Sequence, residues 1–116
     1  MKENQELLQW QDFEKVEMRI GTILEVNDFP SARKPAFQLL IDFGSAIGIK
    51  KSSAQITKRY AKEDLVGKQI VAVVNFPKKQ IGTFMSECLV LGSVGNDNDI
   101  VLLTSDIKVE NGLRIG

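Results

Sequence analysis

The sequence predicts a mainly β fold, a five-stranded barrel with short added helices and terminal extensions, and three observations predict it. Apolar and polar residues alternate over several short runs, as they do in strands with one face buried. One segment of helical character separates the third run from the fourth. Gly21 interrupts the longest run; with no side chain to pack, it marks a bulge or bend by which one strand can serve both sides of a small barrel.

The elements follow in chain order. Asn4 is placed to cap a short helix over residues 4–11, because its side chain can accept from the free N–H groups of the first turn, where Glu6 suits the helix dipole. Leu7, Leu8 and Trp10 form the apolar stripe of this segment. Two helical turns are marginal alone in water, so the stripe needs a surface: the domain's own barrel or, the favoured choice, a second subunit. From Val16 the pattern turns to alternation, with Val16, Met18, Ile20, Leu24 and Val26 on one face and Glu17, Arg19, Gly21 and Glu25 on the other. After a loop bounded by Pro30 and Pro35, the residues Phe37, Leu39, Ile41 and Phe43 repeat at period two and end at Gly44. Residues 47–54 read as a third strand and 55–65 as a helix with Ile56, Tyr60 and Leu65 apolar, stopped by Gly67. Residues 69–76 and 87–94 are two further strands; a turn of Gly95, Asn96, Asp97 and Asn98 leads to residues 100–103, and 107–116 form an extended tail. A helix between the third and fourth strands is the order of an OB-fold barrel.

Composition bounds the chemistry. A chain of 116 residues, 43% apolar and 26% charged, suits one soluble domain spanning 1–116. The longest apolar run, residues 70–74, is far short of the roughly 20 residues of a membrane helix, and the first residues are too polar for a signal peptide. A cytoplasmic protein without membrane insertion is therefore expected. The absence of histidine removes the commonest general base and zinc ligand together, so no catalytic residue, metal site or cofactor is assigned. Cys88 lies in an apolar strand pattern and reads as a buried structural thiol.

The formal net charge is zero, yet its distribution is uneven: −4 over residues 1–29, +7 over 30–80 and −3 over 81–116. Within the basic middle, Arg33-Lys34, Lys50-Lys51 and Lys78-Lys79 form pairs. On an OB barrel the loops after the first and fourth strands flank the ligand surface, and Arg33-Lys34 and Lys78-Lys79 fall in those loops. Two basic loops on one rim suit a phosphate backbone or an acidic partner; a solvated face kept for solubility fits the same residues. Beside them Asn75-Phe76-Pro77 and then Ile81, Phe84, Met85, Ser86 and Glu87 form a mixed stretch. If exposed, its Ile, Phe and Met make an adaptable apolar cleft for peptide; if buried, they are core.

Six segments carry a resemblance: Asp12-Phe13-Glu14-Lys15-Val16, Ala32-Arg33-Lys34-Pro35-Ala36, Ile41-Asp42-Phe43-Gly44, Ser52-Ser53-Ala54-Gln55-Ile56-Thr57, Val73-Val74-Asn75-Phe76-Pro77 and Ser86-Glu87-Cys88-Leu89-Val90-Leu91-Gly92. In order and from Asp12 onward, the chain resembles the tRNA-binding-domain family in its secretion-chaperone branch. The resemblance implies an OB-fold homodimer joined through its terminal segments, with Leu7, Leu8 and Trp10 as dimer contacts. It implies the binding of unfolded preproteins for export alongside the translocation motor SecA, or else of tRNA, which the wider family grips by its outer shape. It places the binding face at Arg33, Lys34, Ser53, Asn75, Lys78, Lys79, Ser86 and Glu87, with Asn75, Ser86 and Glu87 ranked first; the cleft reading of the mixed stretch adds Phe76, Ile81 and Met85. Where the wider family often carries Gly-Met, this chain has Cys88-Leu89.

Overall fold

The computed structural model describes residues 6–116. Its main sheet has five strands: β1 (Met18–Asp28), β2 (Phe37–Asp42), β3 (Ile49–Ala54), β4 (Gln69–Val73) and β7 (Leu89–Val90). They lie in the order β3-β2-β1-β4-β7, with every neighbouring pair antiparallel. The first part of β1 pairs with β4 and the remainder with β2, so one long strand serves both sides of the barrel. Gly21 sits near that crossing, but the irregularity falls three residues later: Ile23 faces Ile41 and Glu25 faces Leu40, leaving Leu24 as the extra residue of a bulge. The bulge reverses the alternation. Ile23 is fully buried, whereas Leu24, expected inside, is exposed.

The core consists of inward residues of these strands, with Ile20, Ile23, Leu39, Ile41, Phe43 and Ile70 fully buried. The expected helix over 55–65 is much shorter. Residues 57–59 form a turn, and α2 is confined to Lys62–Leu65. Tertiary contacts override the helical pattern here: Ile56 is buried in the core, and the Tyr60 hydroxyl accepts from the Leu102 N–H at 3.1 Å. Leu65 is also fully buried and joins the same core cluster; burying such a side chain contributes roughly 1.5–3 kcal/mol.

Two further differences concern the edges. Residues 77–86, read as a connection, contain a hairpin of β5 (Lys79–Ile81) and β6 (Phe84–Ser86), turned by Gly82 at φ 61°. The strand expected over 87–94 divides into β7 and β8 (Gly92–Val94), and β8 pairs with β9 (Ile100–Leu102). At the division the Leu91 N–H still reaches Val71, while its carbonyl accepts from Leu103, so the chain leaves the barrel there. The C-terminal tail is extended as expected and is hydrogen-bonded to β1 through Ile20–Leu113, Gly112–Ile20 and Ile115–Met18.

The N-terminal helix is displaced from its expected place. Asn4, the expected cap, lies outside the described residues; residues 6–9 are not helical, and α1 spans Trp10–Glu14. The Asp12 carboxylate accepts from the Gln9 N–H at 3.4 Å and marks the start of the helix, with an acidic group in the first turn where the dipole favours it. Leu7 and Leu8 thus precede the helix, and only Trp10 of the expected stripe lies on it.

Candidate ligand groove

The geometry of the site follows from how the barrel closes. Lys51 and Ser53 turn their backbone groups away from β2, toward the segment joining β6 to β7. The Glu87 N–H donates to the Lys51 carbonyl at 2.7 Å, and the Lys51 N–H donates to Glu87 Oε1 at 2.9 Å. The Ser53 N–H donates to Ser86 Oγ at 3.1 Å, and the buried Ser52 hydroxyl to the Cys88 carbonyl at 3.0 Å. Side chains of Ser86 and Glu87 therefore stand where carbonyls of a neighbouring strand would otherwise accept. The second Glu87 oxygen lies 3.5 Å from Lys78 Nζ. Burial alone would raise the Glu87 carboxyl; the Lys51 N–H and the Lys78 ammonium outweigh it and hold the pKa below its ordinary value.

Cys88 follows inside this seam, where burial pushes its thiol up to about 12. A thiol so placed stays protonated near neutrality and is a poor nucleophile. Asn75 is also engaged. Its Oδ1 accepts from the Glu17 N–H at 3.0 Å, and its Nδ2 donates to the Lys15 carbonyl at 2.6 Å, tying the segment after α1 to the end of β4.

Beside the seam runs a groove of about 390 Å³. It brings together Ser53, Phe76, Lys79, Ile81 and Ser86 of the sequence-predicted face. Gln55, Pro77, Cys88 and Leu89 complete it, and a second hollow of similar size continues from Ser53, Gln55 and Leu89 toward Val94 and Ile100. Phe76 and Leu89 are 55% and 48% exposed, an apolar surface that water meets in the single chain. Lys79 supplies a cation at the edge, and no carboxylate lines the groove.

Other predicted residues lie elsewhere. Arg33 and Lys34 are exposed in the β1–β2 connection, where Arg33 borders a separate hollow with Phe29, Pro30, Pro35 and Thr57. Lys78 is exposed beside Glu87, and Met85 is half-buried on β6 without lining the groove. Phe84, from the same mixed stretch, packs on Phe29 with ring centroids 5.4 Å apart, which sets the hairpin against the β1–β2 connection. Sequence reasoning missed Gln55, Pro77 and Leu89. Leu89 was within reach, since a strand that buries Cys88 turns its neighbour outward. Leu7, Leu8 and Trp10 are 85%, 72% and 80% exposed.

A nearly closed five-stranded antiparallel barrel of this strand order, with two short helices, is a domain of the OB type. Over residues 18–114 the chain matches the family described as "Putative tRNA binding domain", and it belongs to that family. Within it, the chain is similar to the chaperone CsaA of Bacillus anthracis str. Ames, with 50% identity, a TM-score of 0.91 and coverage of 96% of this chain and 100% of that one. The CsaA chaperone protein of Picrophilus torridus is 51% identical, with a TM-score of 0.89 and coverage of 95% and 100%. A methionine–tRNA ligase of Thermococcus onnurineus is 30% identical over 110 residues, which are 95% of this chain but 14% of that protein. Among the described residues no helix is long and apolar enough to cross a membrane.

Proposed function

We infer that this protein is an export chaperone of the CsaA type, which binds unfolded preprotein segments reversibly in the groove and carries out no reaction of its own. The observation that carries this reading is the 50–51% identity to two CsaA structures across nearly the whole chain. The groove suits the role: Phe76, Pro77, Ile81 and Leu89 offer apolar contact without demanding one sequence, and Lys79 attracts an acidic group. In this reading the protein works in the cytosol as a homodimer, with Arg33, Lys34 and Lys78 at the outer rim, and passes its cargo to SecA. The test is fluorescence anisotropy of a labelled, unfolded preprotein segment across a salt series. Binding that tolerates salt, and that Ile81→Asp weakens about tenfold, supports the reading. No binding by the wild-type protein would remove it.

A second reading, structure-specific tRNA binding, is favoured by the family match and by the likeness to a methionine–tRNA ligase. Here Arg33, Lys34, Lys78 and Lys79 meet phosphates, so log affinity falls steeply with log salt. Lys78→Glu with Lys79→Glu then weakens tRNA binding strongly while changing stability little, as exposed charge changes do. Unchanged tRNA affinity in that variant would take the two lysines out of the site.

A further inference from the structure

The chain leaves the barrel at Leu91 and rejoins it at Leu103, and the β8–β9 hairpin between them is held differently at its two ends. Backbone bonds fix the base: the Leu91 N–H donates to the Val71 carbonyl at 2.9 Å, the Leu103 N–H to Leu91 at 3.1 Å and the Val71 N–H to Leu103 at 3.2 Å. Beside that base the Tyr60 hydroxyl accepts from the Leu102 N–H. Polar side chains of residues 55–59 hold the tip. Arg59 Nε and Nη2 donate to the two Asp99 oxygens, Nη2 at 2.9 Å, and Lys58 Nζ donates to the Asp97 carbonyl at 3.4 Å. Asn98 Nδ2 donates to Gln55 Oε1 at 3.3 Å.

Apolar packing adds little at the tip, where Val94 is 75% exposed and Ile100 only partly buried against the core. Asp97 and Asn98 both have a φ of 57°, in the left-handed region that residues other than glycine rarely adopt. In that conformation the Asp97 carbonyl meets Lys58 and the Asn98 amide meets Gln55. Strain at the turn is thus offset by ties that exist only while the tip is docked. A segment held by exposed polar contacts rather than by burial belongs to the low end of local stability. Next to the tip lies the hollow of about 390 Å³ that continues the groove. Ala54, Ile56 and Val90 line it from the barrel, Val94 and Ile100 line it from the hairpin, and no charged residue lines it among those described. Hollow and groove share Ser53, Gln55 and Leu89. The Gln55–Asn98 bond joins the barrel side of the hollow to the hairpin side, so a main chain running on from the groove has to part it.

We propose that the β8–β9 hairpin is a lid, latched by Arg59 and Asp99, whose opening lets an uncharged apolar stretch of bound preprotein run on from the groove into the second hollow. The inference rests on the chaperone reading above and adds to it how long a segment the protein holds. With the lid closed, only the groove is filled. With it open, the Gln55 and Asn98 amides are released to bond the entering backbone, while Ile56 and Ile100 meet its side chains. A phosphate backbone gains nothing there, because no lysine or arginine lines the hollow. The latch is an exposed ion pair, so salt screens it and rising ionic strength opens the lid.

Amide exchange of the full chain tests the lid without any cargo. Arg59→Ala is expected to speed exchange in Gly92–Val94 and Ile100–Leu102 about threefold, while β1 and β4 keep their protection. Added salt should produce the same acceleration in the wild type and none in the variant. Fluorescence anisotropy tests the occupant, with labelled Leu- and Ala-rich uncharged segments of about five and about ten residues, roughly 17 and 34 Å when extended. The longer segment should bind Arg59→Ala about threefold more tightly than the wild type, and the shorter one equally to both. Unchanged exchange, exchange that rises in β1 and β4 as well, or an equal gain for both segments overturns the proposal. Two segments that bind with no gain for the longer overturn it too, and leave the chaperone reading standing. If neither segment binds the wild type, the chaperone reading fails, and the occupant assigned to the hollow fails with it.

Discussion

The Ile41 and Phe43 side chains fill the space over Gly21: an added Cβ would lie 2.7 Å from Ile41 Cγ2 and from the Phe43 ring. Both neighbours are fully buried and have little room to retreat. Gly21→Ala is therefore expected to lower the unfolding free energy by about 1–3 kcal/mol, as overpacking does. Urea unfolding checks this through the midpoint at constant slope. The sequence identifies this glycine as special, but it does not place the bulge at Leu24. Ile23 and Leu24 are both apolar, and alternation cannot choose between them once the register slips. Glu87 carries a different lesson. Its place in a Ser-Glu pair marks it as functional in sequence, yet its carboxylate holds the Lys51 N–H across the barrel seam. A carboxyl whose folded pKa lies below its unfolded value adds stability that is present above the unfolded pKa and lost as pH falls through the folded one. Glu87→Gln should thus be less stable than wild type at neutral pH, with the difference closing as pH falls below the ordinary glutamate range. Urea midpoints of both proteins across that range decide it; a difference constant with pH would show that the charge is not what stabilises the seam.

At the scale of elements, long strands are legible and short ones are not. β1 and β2 show enough alternation to be read, because one face of each meets the core, while β4 is read from an unbroken apolar run that is buried from Ile70 to Val73. The β5–β6 hairpin has three residues a side, too few for a period to declare itself. Its signal is local: Gly82 between Ile81 and Phe84, the left-handed first position that a two-residue hairpin turn uses. The hairpin's omission from the sequence reading hid the shape of the groove, since Lys79 and Ile81 line it from β5. Placing alanine at a φ of 61° costs roughly 1–2 kcal/mol. That cost falls on a peripheral two-stranded sheet more than on the barrel. Gly82→Ala is accordingly expected to speed amide exchange in β5 and β6 while β1 and β4 keep their protection. On the chaperone reading it also weakens preprotein binding. Equal loss of protection in β1 and β4 would mean that hairpin and barrel unfold as one unit.

For the whole molecule, the arrangement of the N-terminal segment matters more than the shape of its helix. α1 has only five residues, far fewer than the ~12–15 at which an isolated helix becomes even marginal. The barrel holds the segment instead, through Asn75 to Lys15 and Glu17 and through Arg114, whose Nη2 donates to the Glu14 carbonyl at 2.7 Å. These bonds fix the backbone next to the barrel but leave Leu7, Leu8 and Trp10 largely exposed. Ile107 and Leu113, near the other terminus, are exposed as well, at 72% and 47%. A segment anchored through its polar groups with its large apolar side chains turned to water is arranged to be covered by another surface. Pairing two copies would provide that cover, and the sequence points the same way through the stripe even though it misplaces the helix. Leu7→Asp, Leu8→Asp and Trp10→Asp together, in the full chain, should shift sedimentation from the mass of a dimer to that of a monomer. A melting temperature that rises with protein concentration in the wild type should become independent of it in the variant. A variant that still sediments as a dimer would move the contact away from these three residues, while a wild type that sediments as a monomer at every concentration would leave their exposure to be explained by a different partner.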